Sequence, residues 1–118
     1  MAKVQLTTSV FFTVKRQSTT IVTGSMKESV SDEFHDEAVS QNLEVAAAAV
    51  DQAISLGGLT TVKALLLISD QNVSFKFNGG TTVIVGKSVY LRDCAVTAIL
   101  VSNAGTLEAN IEMMAVGV

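Results

Sequence analysis

From Val4 to Val14 the even positions carry Val4, Leu6, Thr8, Val10, Phe12 and Val14, whereas the odd ones carry Gln5, Thr7, Ser9, Phe11 and Thr13. A period of two places alternate side chains on opposite faces of an extended chain, so this stretch predicts a half-buried strand. The polar break Lys15-Arg16-Gln17-Ser18 precedes the β-branched run Thr19 to Thr23, which predicts a hairpin with a four-residue loop. Thr61 to Ile68 reads as a strand buried on both faces towards its end, Ser69 to Asn72 as a turn, and Val73, Phe75 and Phe77 as the inner face of the next strand. Asn78-Gly79-Gly80 supplies residues tolerant of positive φ, and Thr81 to Val85 is the expected return strand. Gly86-Lys87 reads as a turn, Ser88 to Arg92 and Val96 to Ser102 as strands, and Asn103 to Thr106 as a hairpin loop. In the last segment Leu107, Ala109, Ile111, Met113 and Ala115 alternate with Glu108, Asn110 and Glu112.

Residues 38–56 are ambiguous. Val39, Leu43, Ala47, Val50 and Ile54 fall at helical spacing, the alanine run favours helix, and Gly57 is placed to cap one. Leu43, Val45, Ala47 and Ala49 alternate instead as a strand does, and the neighbouring segments are strand-rich. Strand or irregular edge is preferred, with one short helix as the alternative. The expected architecture is one all-β domain over residues 1–118, a jelly-roll-like antiparallel sandwich.

Composition limits the function. Of 118 residues, 48% are apolar and 16% charged, which favours a packed core over disorder. The net charge of −3 argues against a surface that neutralises nucleic-acid phosphates. Charge is unevenly placed: residues 1–26 hold Lys3, Lys15 and Arg16 and no acid, whereas residues 27–51 hold seven acids against Lys27. The five-residue runs Ala46–Val50 and Ala64–Ile68 fall far short of the roughly 20 residues that span a bilayer, so neither a membrane span nor a membrane partner is expected. Met1-Ala2-Lys3 opens no apolar signal region, so use without secretion is expected. A mean hydropathy of +0.45 implies apolar surface covered by other subunits.

Candidate chemistry is sparse. His35, the only histidine, stands among Asp32, Glu33, Asp36 and Glu37, and the expected reading is a solvated acidic loop, with no metal and no cofactor. No Gly-x-Ser-x-Gly elbow or phosphate loop occurs, Cys94 reads as a small buried hydrophobe, and no catalytic residue is assigned, so an enzyme is not expected. The charge split points elsewhere. Lys15 and Arg16 on the basic hairpin, and Glu33, Asp36 and Glu37 on the acidic segment, are the candidate intersubunit contacts, with intramolecular neutralisation the alternative.

The run from Gln52 through Gly57-Gly58-Leu59-Thr60-Thr61 to Leu67, then Asp70, the Val73–Phe77 strand, a glycine hairpin, Ala98 to Asn103 and Gly105 to Ile111, resembles small tailed-bacteriophage virion proteins of β-sandwich type. The resemblance covers roughly residues 50–118 and is a pattern of strands and turns. It implies a structural virion protein made in the host cytoplasm, foremost a capsid decoration or cement component, and a homo-oligomer expected to be a trimer bound to a capsid or tail lattice. The alternative is a tail-associated module that recognises a host-surface glycan through the Asn78-Gly79-Gly80 and Asn103-Ala104-Gly105 loops. Circular dichroism of the purified chain is expected to give a β spectrum; a helical share above about a third, the average for globular domains, would overturn the all-β expectation.

Overall fold

The computed structural model describes residues 3–12, 15–16, 19–20 and 26–118, with side chains described for 3–10 and 33–118. Ten strands follow in order: β1 (Val4–Phe12), β2 (Lys15–Arg16), β3 (Thr19–Thr20), β4 (Met26–His35), β5 (Glu37–Val45), β6 (Gln52–Ala53), β7 (Val62–Phe77), β8 (Ile84–Val96), β9 (Ile99–Ser102) and β10 (Ala109–Gly117). All pairings are antiparallel. The described residues contain no helix, and the sheet curls over its core as expected for an all-β, sandwich-like protein.

The curl arises from the 16-residue β7. Its first half lies between β10 and β8, with Leu67 opposite both Met113 and Val89. Its second half lies between β8 and β9, with Phe75 opposite both Ile84 and Val101. The halves are joined by a bulge: Ile68 pairs with Ser88 and Val73 with Gly86, so five steps along β7 match two along β8. Such an excess bends a strand and increases its twist. The Ser69 hydroxyl donates to the Gln71 carbonyl at 2.8 Å and accepts the Gln71 N–H at 3.2 Å, satisfying backbone groups that leave the ladder. Ser69 to Asn72, expected as a turn, is therefore a bulge within one strand. Likewise Gly86-Lys87 does not turn but lies inside β8, whose irregularity falls at Asp93 (φ 54°).

The concave face carries the core. Leu65, Leu67, Phe75, Val101, Ile111 and Met113 are each at most 2% exposed and pack in one cluster with Val45, Val62, Val73 and Ile99. The segment with helical spacing joins this core as a strand, because β10 offers β5 nine matched positions from Ala109↔Val45 to Gly117↔Glu37. Cross-strand packing of Val39, Leu43 and Val45 prevails over alanine propensity, and the chain then reverses through Ala48 and Asp51, both at positive φ. Asn103 is fully buried beside that reversal. It does not head a hairpin, since β9 pairs with β6 and β7 rather than with β10. Its Nδ2 donates to the carbonyls of Val45 (3.3 Å) and Leu107 (2.8 Å), and its Oδ1 accepts the Gly105 N–H at 3.1 Å. At the other end Gly117 closes against Thr61, whose carbonyl leaves no room for a Cβ.

The amino-terminal part forms a ribbon apart from this sheet. β1 pairs with β4, from Val4↔His35 to Phe12↔Met26, and β2 pairs with β3 as a small hairpin. The expected hairpin is present where Lys15 and Arg16 pair with Thr20 and Thr19, whereas β1 itself pairs with Met26–His35, and Ile21 to Thr23 lie outside the described residues. The accessible surface is 7504 Å², whereas a compact monomer of 12.4 kDa exposes about 6,100 Å². The radius of gyration of 16.0 Å likewise exceeds the about 13.5 Å of a compact 118-residue domain.

Asn103→Ala is expected to lower stability by about 1–3 kcal/mol in urea unfolding, because the buried Val45 carbonyl, the Leu107 carbonyl and the Gly105 N–H lose their partner. Asn72→Ala, on the exposed part of the bulge, should stay within about 0.5 kcal/mol of the parent.

Candidate functional site

The convex face of the β5–β10–β7–β8 sheet departs from simple alternation. On it the pairing aligns Ser40, Met114, Leu66 and Tyr90 in one row, with Ala38, Val116, Ala64 and Arg92 in the row beside it. The next row on the other side is Asn42, Glu112, Ile68 and Ser88. Met114 is 58% exposed and Ile68 44%, although β-sheet faces turned to water usually carry polar residues. Residues Leu6 to Val10 of β1 overhang this face, and between ribbon and sheet runs a groove of about 480 Å³ floored by Leu66, Ile68, Tyr90 and Met114. A second groove of about 650 Å³ shares Ile68 and continues past Asn42, Glu44, Asp70, Asn110 and Glu112. One face therefore has an apolar half and an acidic half.

Asp70 fixes the boundary between them. Carried on the β7 bulge, its Oδ1 accepts the Asn110 N–H at 2.8 Å and its Oδ2 accepts the Asn110 side-chain amide at 3.1 Å, which ties the bulge to β10. These bonds, the backbone one foremost, hold the Asp70 carboxyl below the usual value of 3.8. Glu44 and Glu112 stand nearby on β5 and β10, both exposed.

The candidate contact residues lie elsewhere. Lys15 and Arg16 form β2, and their side chains lie outside those described. Glu33 and His35 belong to β4, and neither is part of a solvated loop. The His35 Nε2 lies 2.8 Å from Glu33 Oε1, the two side chains are 12% and 15% exposed respectively, and Glu33 Oε2 is buried without a partner. Cross-strand pairing puts both on the same ribbon face as Val4 and Leu6, which explains their partial burial within an acidic stretch. Asp36 lies 3.4 Å from the Nζ of Lys3 in its own ribbon, each more than half exposed, and Glu37 is exposed at the start of β5.

Among the described residues Cys94 is not poised as a nucleophile. The half-buried Cys94 Sγ donates to the Val62 carbonyl at 3.5 Å, and burial pushes its thiol up, away from the reactive thiolate. Among the described residues no three His, Cys, Asp or Glu side chains gather as a metal set. The asparagines of the two loops considered for glycans are engaged with backbone: Asn78 Nδ2 donates to the Ala95 carbonyl at 2.9 Å and its Oδ1 accepts the Thr97 N–H at 2.7 Å, and Asn103 is buried as described above. No protein-family model, curated protein or solved structure matches this chain.

The convex face was legible in part. Ala64 to Ile68 is apolar at every position, and Met114 and Val116 stand where the Glu108, Asn110, Glu112 alternation calls for polar residues. Both irregularities mark a sheet with two apolar faces.

Because the folded Asp70 binds its proton less tightly than the unfolded chain does, it stabilises the fold above pH 3.8, and that contribution is lost as pH falls through the lowered value. Asp70→Asn should therefore reduce the melting temperature at about pH 6, with the gap to the parent narrowing as the pH is lowered below 3.8 in thermal unfolding scans.

Proposed function

We propose that this chain is a structural protein of a bacteriophage virion, a capsid decoration or cement component that assembles as a homotrimer and stabilises the shell by bridging neighbouring subunits. The observation that carries the assembly part of this reading is the apolar convex face, with Met114 and Ile68 about half exposed on it. Covering such a face contributes about 25 cal/mol per Å² of apolar area before the cost of association is met. The particle itself is inferred from the strand-and-turn resemblance over residues 50–118.

Two measurements test the reading. In sedimentation or light scattering the chain should run as a trimer at micromolar concentration, and in purified particles, labelling should place it on the head in regular array. A monomer without affinity for any shell would overturn the proposal, and location on the tail would overturn the decoration role.

A further inference from the structure

We propose that Asn78 is a site of spontaneous deamidation, held in check by the hook that its own side chain makes between the β7–β8 hairpin and the β8–β9 turn. The inference goes beyond the assembly reading and does not depend on it. Of the five asparagines, Asn78 alone precedes a glycine; the others precede Leu43, Val73, Ala104 and Ile111. Deamidation begins when the backbone nitrogen of the following residue attacks the asparagine Cγ, and a side chain on that residue crowds the approach. Gly79 has none, and no described atom lies within 4 Å of where its Cβ would stand. In the reaction the bond from the Gly79 nitrogen to Cγ forms and the Cγ–Nδ2 bond breaks. The amide proton of Gly79 leaves with the ammonia, and water then opens the cyclic imide to aspartate or isoaspartate.

The fold engages the same atoms. Asn78 stands at positive φ (58°) just past Phe77↔Ile99, the last pair of the β7–β9 ladder, and its backbone N–H donates to the Ala98 carbonyl at 2.9 Å. In the side chain Nδ2, the leaving group, donates to the Ala95 carbonyl at 2.9 Å. Oδ1 accepts the Thr97 N–H at 2.7 Å and the Thr97 hydroxyl at 3.2 Å. Swinging Cγ onto the Gly79 nitrogen breaks these three side-chain bonds, so the reaction waits for local opening of the hairpin tip. Once it has occurred the hook cannot re-form. A carboxylate only accepts hydrogen bonds, so the Ala95 carbonyl then faces an acceptor, and the end of the core at Phe77 and Ile99 loses its clasp.

Peptide mass spectrometry of the full chain, aged at mildly alkaline pH with and without guanidinium chloride, tests the inference through the one-dalton gain of each asparagine peptide. In denaturant Asn78 should react ahead of the other four asparagines, and in the folded chain its rate should fall by about tenfold or more. Thr97→Val, which removes one of the three side-chain bonds, should speed the folded reaction severalfold and leave the denatured rate unchanged. Asn78→Asp should lower the melting temperature while the β spectrum is retained; should that variant not fold, the rates of the parent and of Thr97→Val decide alone. Another asparagine reacting first in denaturant overturns the site. Equal folded and denatured rates, or a folded rate indifferent to Thr97→Val, overturn the protection by the hook, and an unchanged melting temperature in Asn78→Asp overturns its role as a clasp.

Discussion

The structure depends on one strand serving two layers. β7 lends its first half to the β10 side and its second half to the β9 side, so the core residues Leu65 and Leu67 and the core residue Phe75 belong to a single continuous backbone. That continuity is achieved by the bulge at residues 69–72, where the Ser69 hydroxyl and the Asp70 carboxylate take over bonds that the ladder relinquishes. The bulge adds bend and twist to the strand, and both halves of β7 contribute to one core with Ile111. β8 follows β7 through the bend and carries its own irregularity near Asp93. Asn103 then braces the opposite side of the core, bonding the end of β5 to the loop before β10.

The same bend creates the convex face. Curling the sheet buries one set of alternate side chains and turns the other set outward, and here that outward set is apolar over β7 and the end of β10. A ribbon paired only with itself overhangs part of this face, leaving Met114 and Ile68 partly open. Fold and proposed function are thus connected by one physical cause: a sheet apolar on both sides can be satisfied on only one side by its own core.

Much of the fold was readable from alternation. The inner faces of β1, β5, β10 and the second half of β7 follow a period of two, and Asn78-Gly79-Gly80 turns as expected, with Asn78 and Gly79 at positive φ. What was misread shares a feature. Ser69 to Asn72 and Gly86-Lys87 have turn-forming residues yet lie within strands, because small and polar residues serve a bulge or an edge as readily as a turn. Glu33 and His35 were expected in solvent, and their partial burial depends on β1 as a cross-strand partner, which no local pattern specifies.

By itself the sequence determined the all-β class, the alternating core and the separation of a basic amino terminus from an acidic segment, since these follow from local periodicity and from the order of charges along the chain. Only the tertiary structure decided that β1 pairs with the acidic β4, that β7 is one bent strand, and that Glu44, Asp70 and Glu112 gather at one end of an apolar groove. The physical reason is that pairing and register are set by contacts between residues distant in the chain, where the gain from packing a matched partner outweighs the preferences of any short segment.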